Sequence, residues 1–289
     1  MTCTVWGEDE WMERMQRHRL RLEPYVLPAL ARKSRQEKHP IYDFLFEYYS
    51  FRPGSLLRWS PGPGVVLGGS RAGPAFAGRK GFMEVAGGVR VAPFPAARLD
   101  YLRWAAHFLT TTSARPPAFA CLGLHEWAMV YRSRGTRHSQ MNLRLAAGEL
   151  ERVLEEQALC CTHYDAYRFF TGAALPRNEL ALSRDTTTAH DQRGCIHVNM
   201  DLYRFCYKVY PWLAGELLAD AFLLAVAARE IDMRASPYDL KPLGYEPIPL
   251  ETSDGRGEYV RLQRHLAERA QPVRAGVLAA YRALLETVE

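Results

Sequence analysis

Four short stretches of this sequence set an imidazole beside a carboxylate in apolar and aromatic company. They are His39/Asp43 in KHPIYDFLFEYY, His125/Glu126 in GLHEWAMVYR, His163/Asp165 in CTHYDAYRFF and His197/Asp201 in GCIHVNMDLYRFCYKVYP. Where such a stretch is helical, residues four apart lie one turn apart on the same face. A buried carboxylate is costly unless it is paired or bonded to a metal. Each pair therefore either fastens one helix to its neighbour or forms part of a reactive site. An imidazole and a carboxylate on one face can supply two ligands, or a ligand and the group that orients it. Helical bundles build di-metal sites from inward-facing carboxylates and histidines on several helices. Nitrogen and oxygen donors without cysteine suit iron, manganese or zinc. On this reading the ligand candidates are His39, Asp43, His125, Glu126, His163, Asp165, His197 and Asp201. The substrate would be a small molecule.

The known metal motifs are not reproduced. The paired Glu-x-x-His element of di-iron carboxylate proteins is missing, and Met129 stands where HExxH needs its second histidine. His125 and Glu126 are neighbours, so on a helix they diverge by about 100°. Cys121 sits one turn before His125, which allows a thiol–imidazole pair, although its apolar surroundings favour an inert core thiol. The remaining histidines, His18, His107, His138, His190 and His265, stand in polar or arginine-flanked settings or lack an adjacent carboxylate, and most are expected to be solvated.

A second chemistry comes from aromatic residues interleaved with arginine. Tyr48, Tyr49, Phe51 and Trp59 surround Arg52 and Arg58, and Tyr164, Tyr167, Phe169 and Phe170 surround Arg168. Stacking rings with arginine beside them hold flipped or single-stranded bases. The plainer alternative is that such stripes are core. WSPGPGVVLGGS has the glycine content of a phosphate loop, but lacks the GK[ST] ending and a preceding strand.

The elements that must position these groups read mostly as helix. Apolar positions at helical spacing run from Glu8 to Arg32, interrupted by Pro24 and Pro28. A helix is expected to start at Pro40, since proline suits the first helical position. Others cover AARLDYLRWAAHFLTTT, AFACLGLHEWAMVYRSR and LRLAAGELERVLEEQAL, a long one follows Pro211, and the last begins near Glu258. Residues 60–96 are rich in glycine and proline and end in FMEVAGGVRVAPF, a hairpin signal around Gly87-Gly88 and the main β-structure expected. No repeat, strand–helix alternation or long polar linker is visible. The fold class is mainly α: a single compact helical domain over 1–289, with the loop and hairpin inserted.

The chain of 289 residues, 48% hydrophobic and 24% charged, can bury a full core. No apolar run reaches the ~18 residues of a membrane span. The acidic start lacks the pattern of a signal peptide, so a cytoplasmic location is the default. Six cysteines without CxxC spacing are expected to be thiols. A net charge of +5 permits nucleic-acid binding without demanding it.

Taken together, HPIYDFLFEYYSFRPGSLLRWSPGPGV, ACLGLHEWAMVYR, CTHYDAYRFFT, HVNMDLYRFCYKVYP and EIDMRASPYDL resemble a bacterial family commonly catalogued as 3-methyladenine DNA glycosylases, over about residues 39 to 275. The resemblance implies hydrolysis of the N-glycosidic bond of an alkylated base, DNA as partner and no cofactor. A carboxylate would stabilise the oxocarbenium-like sugar or activate water. Asp43, Glu126, Asp165 and Asp201 are the candidates, with Tyr49, Arg52, Arg58, Trp59 and Arg168 holding substrate. SPGPGVVLGG could imitate the glycine-rich hairpin turn of helical glycosylases, yet no aspartate follows between Ser60 and Leu99, so no catalytic residue transfers by motif.

Overall fold

The computed structural model describes residues 3–133, 135, 136 and 140–288. His138 lies outside them. The chain is mainly helical with one small sheet, as composition and periodicity indicate. Its backbone contacts divide it into two compact units, one formed by Met1–Leu109, Leu202–Leu223 and Pro272–Glu289, the other by Thr110–Asp201 and Leu224–Gln271. The sequence reads as one domain because no linker marks this division. The boundaries fall instead within the helices Leu99–Ala114, Gly215–Arg234 and Ser253–Val288, and at Asp201/Leu202, between two short helices. No helix among the described residues is long and apolar enough to cross a membrane.

The first unit opens with a helix over Glu8–Ser34. Trp11, His18, Leu22, Val26 and Ala29 form its buried stripe, at the three-, four- and seven-residue steps of one helical face. Pro24 and Pro28 lie on its exposed side and do not end it. Acidic residues occupy the first turn and Arg32 and Lys33 the last, each complementing the helix dipole. His18 is 1% exposed, not solvated as its arginine neighbours suggested.

The expected hairpin is present. β3 (Phe82–Val85) and β4 (Gly88–Val91) pair antiparallel around Ala86-Gly87. They belong to a larger sheet, ordered β1-β2-β4-β3. β1 (Thr4–Trp6) runs parallel to β2 (Val65–Leu67), and β2 runs antiparallel to β4. The two extra strands are three residues each, too short to show alternation in sequence. Trp11, Trp59, Leu67, Phe76 and Val89 pack in one buried cluster beside the sheet.

The second unit holds shorter helices than expected. AFACLGLHEWAMVYRSR contributes only His125–Ala128, because Leu122 and Arg132 adopt positive φ of 50° and 49° and turn the backbone out of the helix. The remaining helices of this unit include Ala147–Glu156, Tyr164–Tyr167, Thr187–His190 and Ile196–Met200. The long helix expected after Pro211 begins at Gly215, and the last helix begins at Ser253 and continues through Pro272.

Candidate metal centre

The core of the site is a run of buried charges in the second unit. Arg229 and Asp232 lie three apart on the helix Gly215–Arg234 and share its inward face. Each is 1% exposed. Arg229 Nη1 donates to Asp232 Oδ2 at 2.5 Å and to Glu126 Oε1 at 2.9 Å. His125 Nε2 meets the other carboxylate oxygen, Asp232 Oδ1, at 2.5 Å. The divergence of adjacent helical residues is thus satisfied on one partner helix: His125 reaches Asp232, and Glu126 reaches Arg229. Trp127 Nε1 donates to Ala235 O at 2.8 Å and fixes the short helix in this register.

Two further imidazoles complete the group. His197, from the helix Ile196–Met200, places Nε2 3.9 Å from Asp232 Oδ2. Its ring meets that of His125 edge-on at 4.4 Å. The His163 ring lies parallel to His197, with centroids 5.4 Å apart. His163 Nδ1 is 3.2 Å from Asp191 Oδ1, and its Nε2 is 4.0 Å from Asp201 Oδ2. Asp201 thus lies near His163, although His197 is the histidine one turn before it in sequence. Among the described residues, one donor atom each from His125, His197 and Asp232 lie within 4.8 Å of one another.

Electrostatics distinguishes the three imidazoles. Burial opposes charge on His125, but the Asp232 carboxylate, by charge and hydrogen bond, holds its pKa well above the usual value. Burial also opposes charge on His163, and Asp191, then Asp201, raise it to about 9. His197 is held well below the usual range by burial and by the positive His125 beside it. A neutral His197 keeps a lone pair for a cation. Its side chain is 15% exposed, whereas that of Asp232 is fully enclosed, so solvent meets the group at His197. Glu126 Oε2 and the Tyr259 hydroxyl are buried without a hydrogen-bond partner, and such atoms in a native interior call for an explanation.

No protein-family model, curated protein or solved structure matches this chain. Its function is therefore argued from the geometry.

His125, His197 and Asp232 are a donor set of the kind found in non-heme iron centres, which also suits zinc or manganese. An ion bound there would displace the proton that His125 shares with Asp232, since only neutral imidazole coordinates. Glu126 stays outside the set and balances Arg229. The expected thiol–imidazole contact is also present, with Cys121 Sγ 3.7 Å from His125 Nδ1. A hydrogen bond with Cys161, against burial, and a further one with His125 hold the Cys121 thiol well below its ordinary pKa. Cys121, His125 and Asp232 thus form one contiguous row of polar contacts.

The other sequence candidates serve elsewhere. His39 and Asp43 belong to the first unit and form a reciprocal cap on the helix Tyr42–Glu47. His39 Nδ1 accepts from Tyr42 N at 3.3 Å, Asp43 Oδ2 accepts from His39 N at 2.8 Å, and Arg32 binds the same carboxylate. Asp165 pairs with Arg168 at 2.9 Å near the surface. Tyr49 and Trp59 are core residues, 4% and 1% exposed. Arg52 and Arg58 are exposed on the first unit.

Sequence reading missed Asp232, Arg229 and Asp191. The signal for the first two was present: ionisable residues three apart, on one helical face, at the end of the apolar run AFLLAVAAREIDM. Asp191 sits in a polar loop and carried no signal.

Proposed function

We propose that the protein is a metal-dependent enzyme acting on a small substrate, with a mononuclear divalent centre held by His125, His197 and Asp232. The observation that carries this reading is the convergence of those three donors within 4.8 Å of one another, with His197 the partly exposed member. Iron(II) is the first candidate for this donor set, with manganese and zinc next. When bound, the ion would supply a Lewis acid and free coordination positions. Arg229 and Glu126 hold Asp232 and its surroundings near neutrality. Asp191 orients His163, and His163 with Asp201 lies beside His197, where it can pass a proton.

Elemental analysis of protein purified with and without oxygen tests the proposal. The expected result is one equivalent of metal per chain, lost in His197→Ala and Asp232→Asn. Metal content near zero under both conditions would remove it.

The N-glycosylase implied by the family resemblance is the second reading. It is favoured by Asp201, 8% exposed and beside a cationic His163, a setting in which a carboxylate could face an oxocarbenium-like sugar. Of its other candidates, Asp43 and Asp165 are committed to Arg32 and Arg168. Incubation with duplexes containing N-alkylated purines decides it: an abasic product supports this reading, and neither product nor salt-dependent DNA binding eliminates it.

A further inference from the structure

The first unit carries a cleft of about 890 Å³ that the metal centre does not use. Arg58, Arg79, Lys80 and Arg98 all line it. Among the described residues none of the four is paired with a carboxylate. Arg58, Arg79 and Lys80 are exposed, whereas Arg98 is pinned by a hydrogen bond to Lys208 O and by stacking over Phe94. Like charges brought to one concavity repel each other, and a multiply charged anion relieves that repulsion. The forked donors of arginine match phosphate oxygens in particular.

The walls supply the second feature. Phe51, Phe82 and Tyr210 line the same cleft and are each only half-buried. Apolar ring surface next to unpaired cations is an unusual surface to leave facing water. The frame behind it is tightly built. Gly81 has φ +88°, and a Cβ there would sit 2.7 Å from Pro211 Cγ. Gly81 O accepts from Ala92 N at 2.9 Å, and Ala92 O accepts from Trp212 Nε1 at 2.7 Å. Ser60 Oγ donates to Pro211 O at 2.6 Å, and Tyr210 Oη to Trp59 O at 3.3 Å. Burial pushes the Tyr210 hydroxyl up to about 12, with the charges of Arg79 and Arg58 pulling the other way.

We infer that this cleft binds a free nucleoside phosphate, its phosphates among Arg58, Arg79, Lys80 and Arg98 and its base against Phe51, Phe82 or Tyr210. Both halves of the ligand are required by the lining: cations alone would suit any phosphate, and rings alone any apolar molecule. The volume falls within the range of small-molecule sites, roughly 300–1,000 Å³. The cations converge on one cleft rather than tracking a groove, as a bound strand would require. The inference does not depend on the metal centre.

Calorimetric titration tests it with adenosine 5′-diphosphate, ribose 5-phosphate and a short oligothymidylate as probes. The diphosphate should bind at about 1 mM or tighter, more weakly as salt is raised. Arg58→Ala with Arg79→Ala should weaken it by roughly tenfold or more, with the circular dichroism of the variant unchanged. His125→Ala should leave it intact. Ribose 5-phosphate should bind distinctly more weakly, because it lacks the base. Absence of diphosphate binding, or equal affinity in the double variant, overturns the site. Equal binding of ribose 5-phosphate overturns the base contact, and tighter binding of the oligonucleotide overturns the free nucleotide as ligand.

Discussion

Asp232 accepts hydrogen bonds from an arginine and an imidazole inside the second unit, and the consequences are largest for its partners. Buried ion pairs add little net stability while intact, but removing one partner leaves an uncompensated charge. Arg229→Met removes the guanidinium bonded to Glu126 Oε1 and Asp232 Oδ2. It should lower the unfolding free energy by about 3–5 kcal/mol, measured by urea titration of the metal-free protein. His18 gives a pH prediction from the same physics. Its Nε2–H donates to Leu56 O at 2.9 Å, and its Nδ1 is buried without a partner. Burial lowers its pKa below 6.5. Below that pH the unfolded chain gains a proton that the folded chain refuses. The stability is therefore complete above 6.5 and falls as pH drops through the interval down to the folded value. His18→Gln keeps a donor for Leu56 and should flatten the slope of unfolding free energy between about pH 5 and 7.

At the scale of elements, the sheet depends on Gly88, which the sequence marks only as half of a hairpin signal. Gly88 opens β4 with φ +152°, and a Cβ there would lie 1.9 Å from Leu67 O on the neighbouring strand. Gly88→Ala should cost about 1–3 kcal/mol through backbone displacement, read as a lower urea midpoint at unchanged m-value. Gly87, at φ +88° and with nothing near a Cβ, is the control and should cost less. The same scale explains the partial legibility of the helices. Glu8–Ser34 was visible from its apolar stripe, and its prolines were tolerated because both face solvent. The segment around His125 carried helical spacing too, yet Leu122 and Arg132 at positive φ confine its helix to four residues. Local periodicity cannot register such turns, because tertiary packing imposes them.

For the whole molecule, the two units give the metal proposal a spatial signature. Every donor belongs to Thr110–Asp201 or Leu224–Gln271. A ligand that binds only the folded state stabilises it, by about 2.7 kcal/mol at a hundredfold excess over its dissociation constant. Adding iron(II) or manganese should thus slow amide exchange in segments 110–201 and 224–271 before it does so in 3–109. Protection confined to the first unit would be incompatible with the centre described.

The sequence by itself determined that the chain is mainly helical, that a hairpin forms around Gly87-Gly88, one residue past the turn at Ala86-Gly87, and that His125, His163, His197 and Asp201 are ionisable groups in core-like surroundings. Those features follow from local composition and period, which act over a few residues. Only the tertiary structure decided which of them meet. It joined His125 and His197 through Asp232, a residue 107 positions from His125, and turned His39 and Asp43 to capping a helix. The reason is that a buried carboxylate takes whichever cation packing brings within reach, and packing partners are set by the burial of the whole apolar surface, not by spacing along the chain.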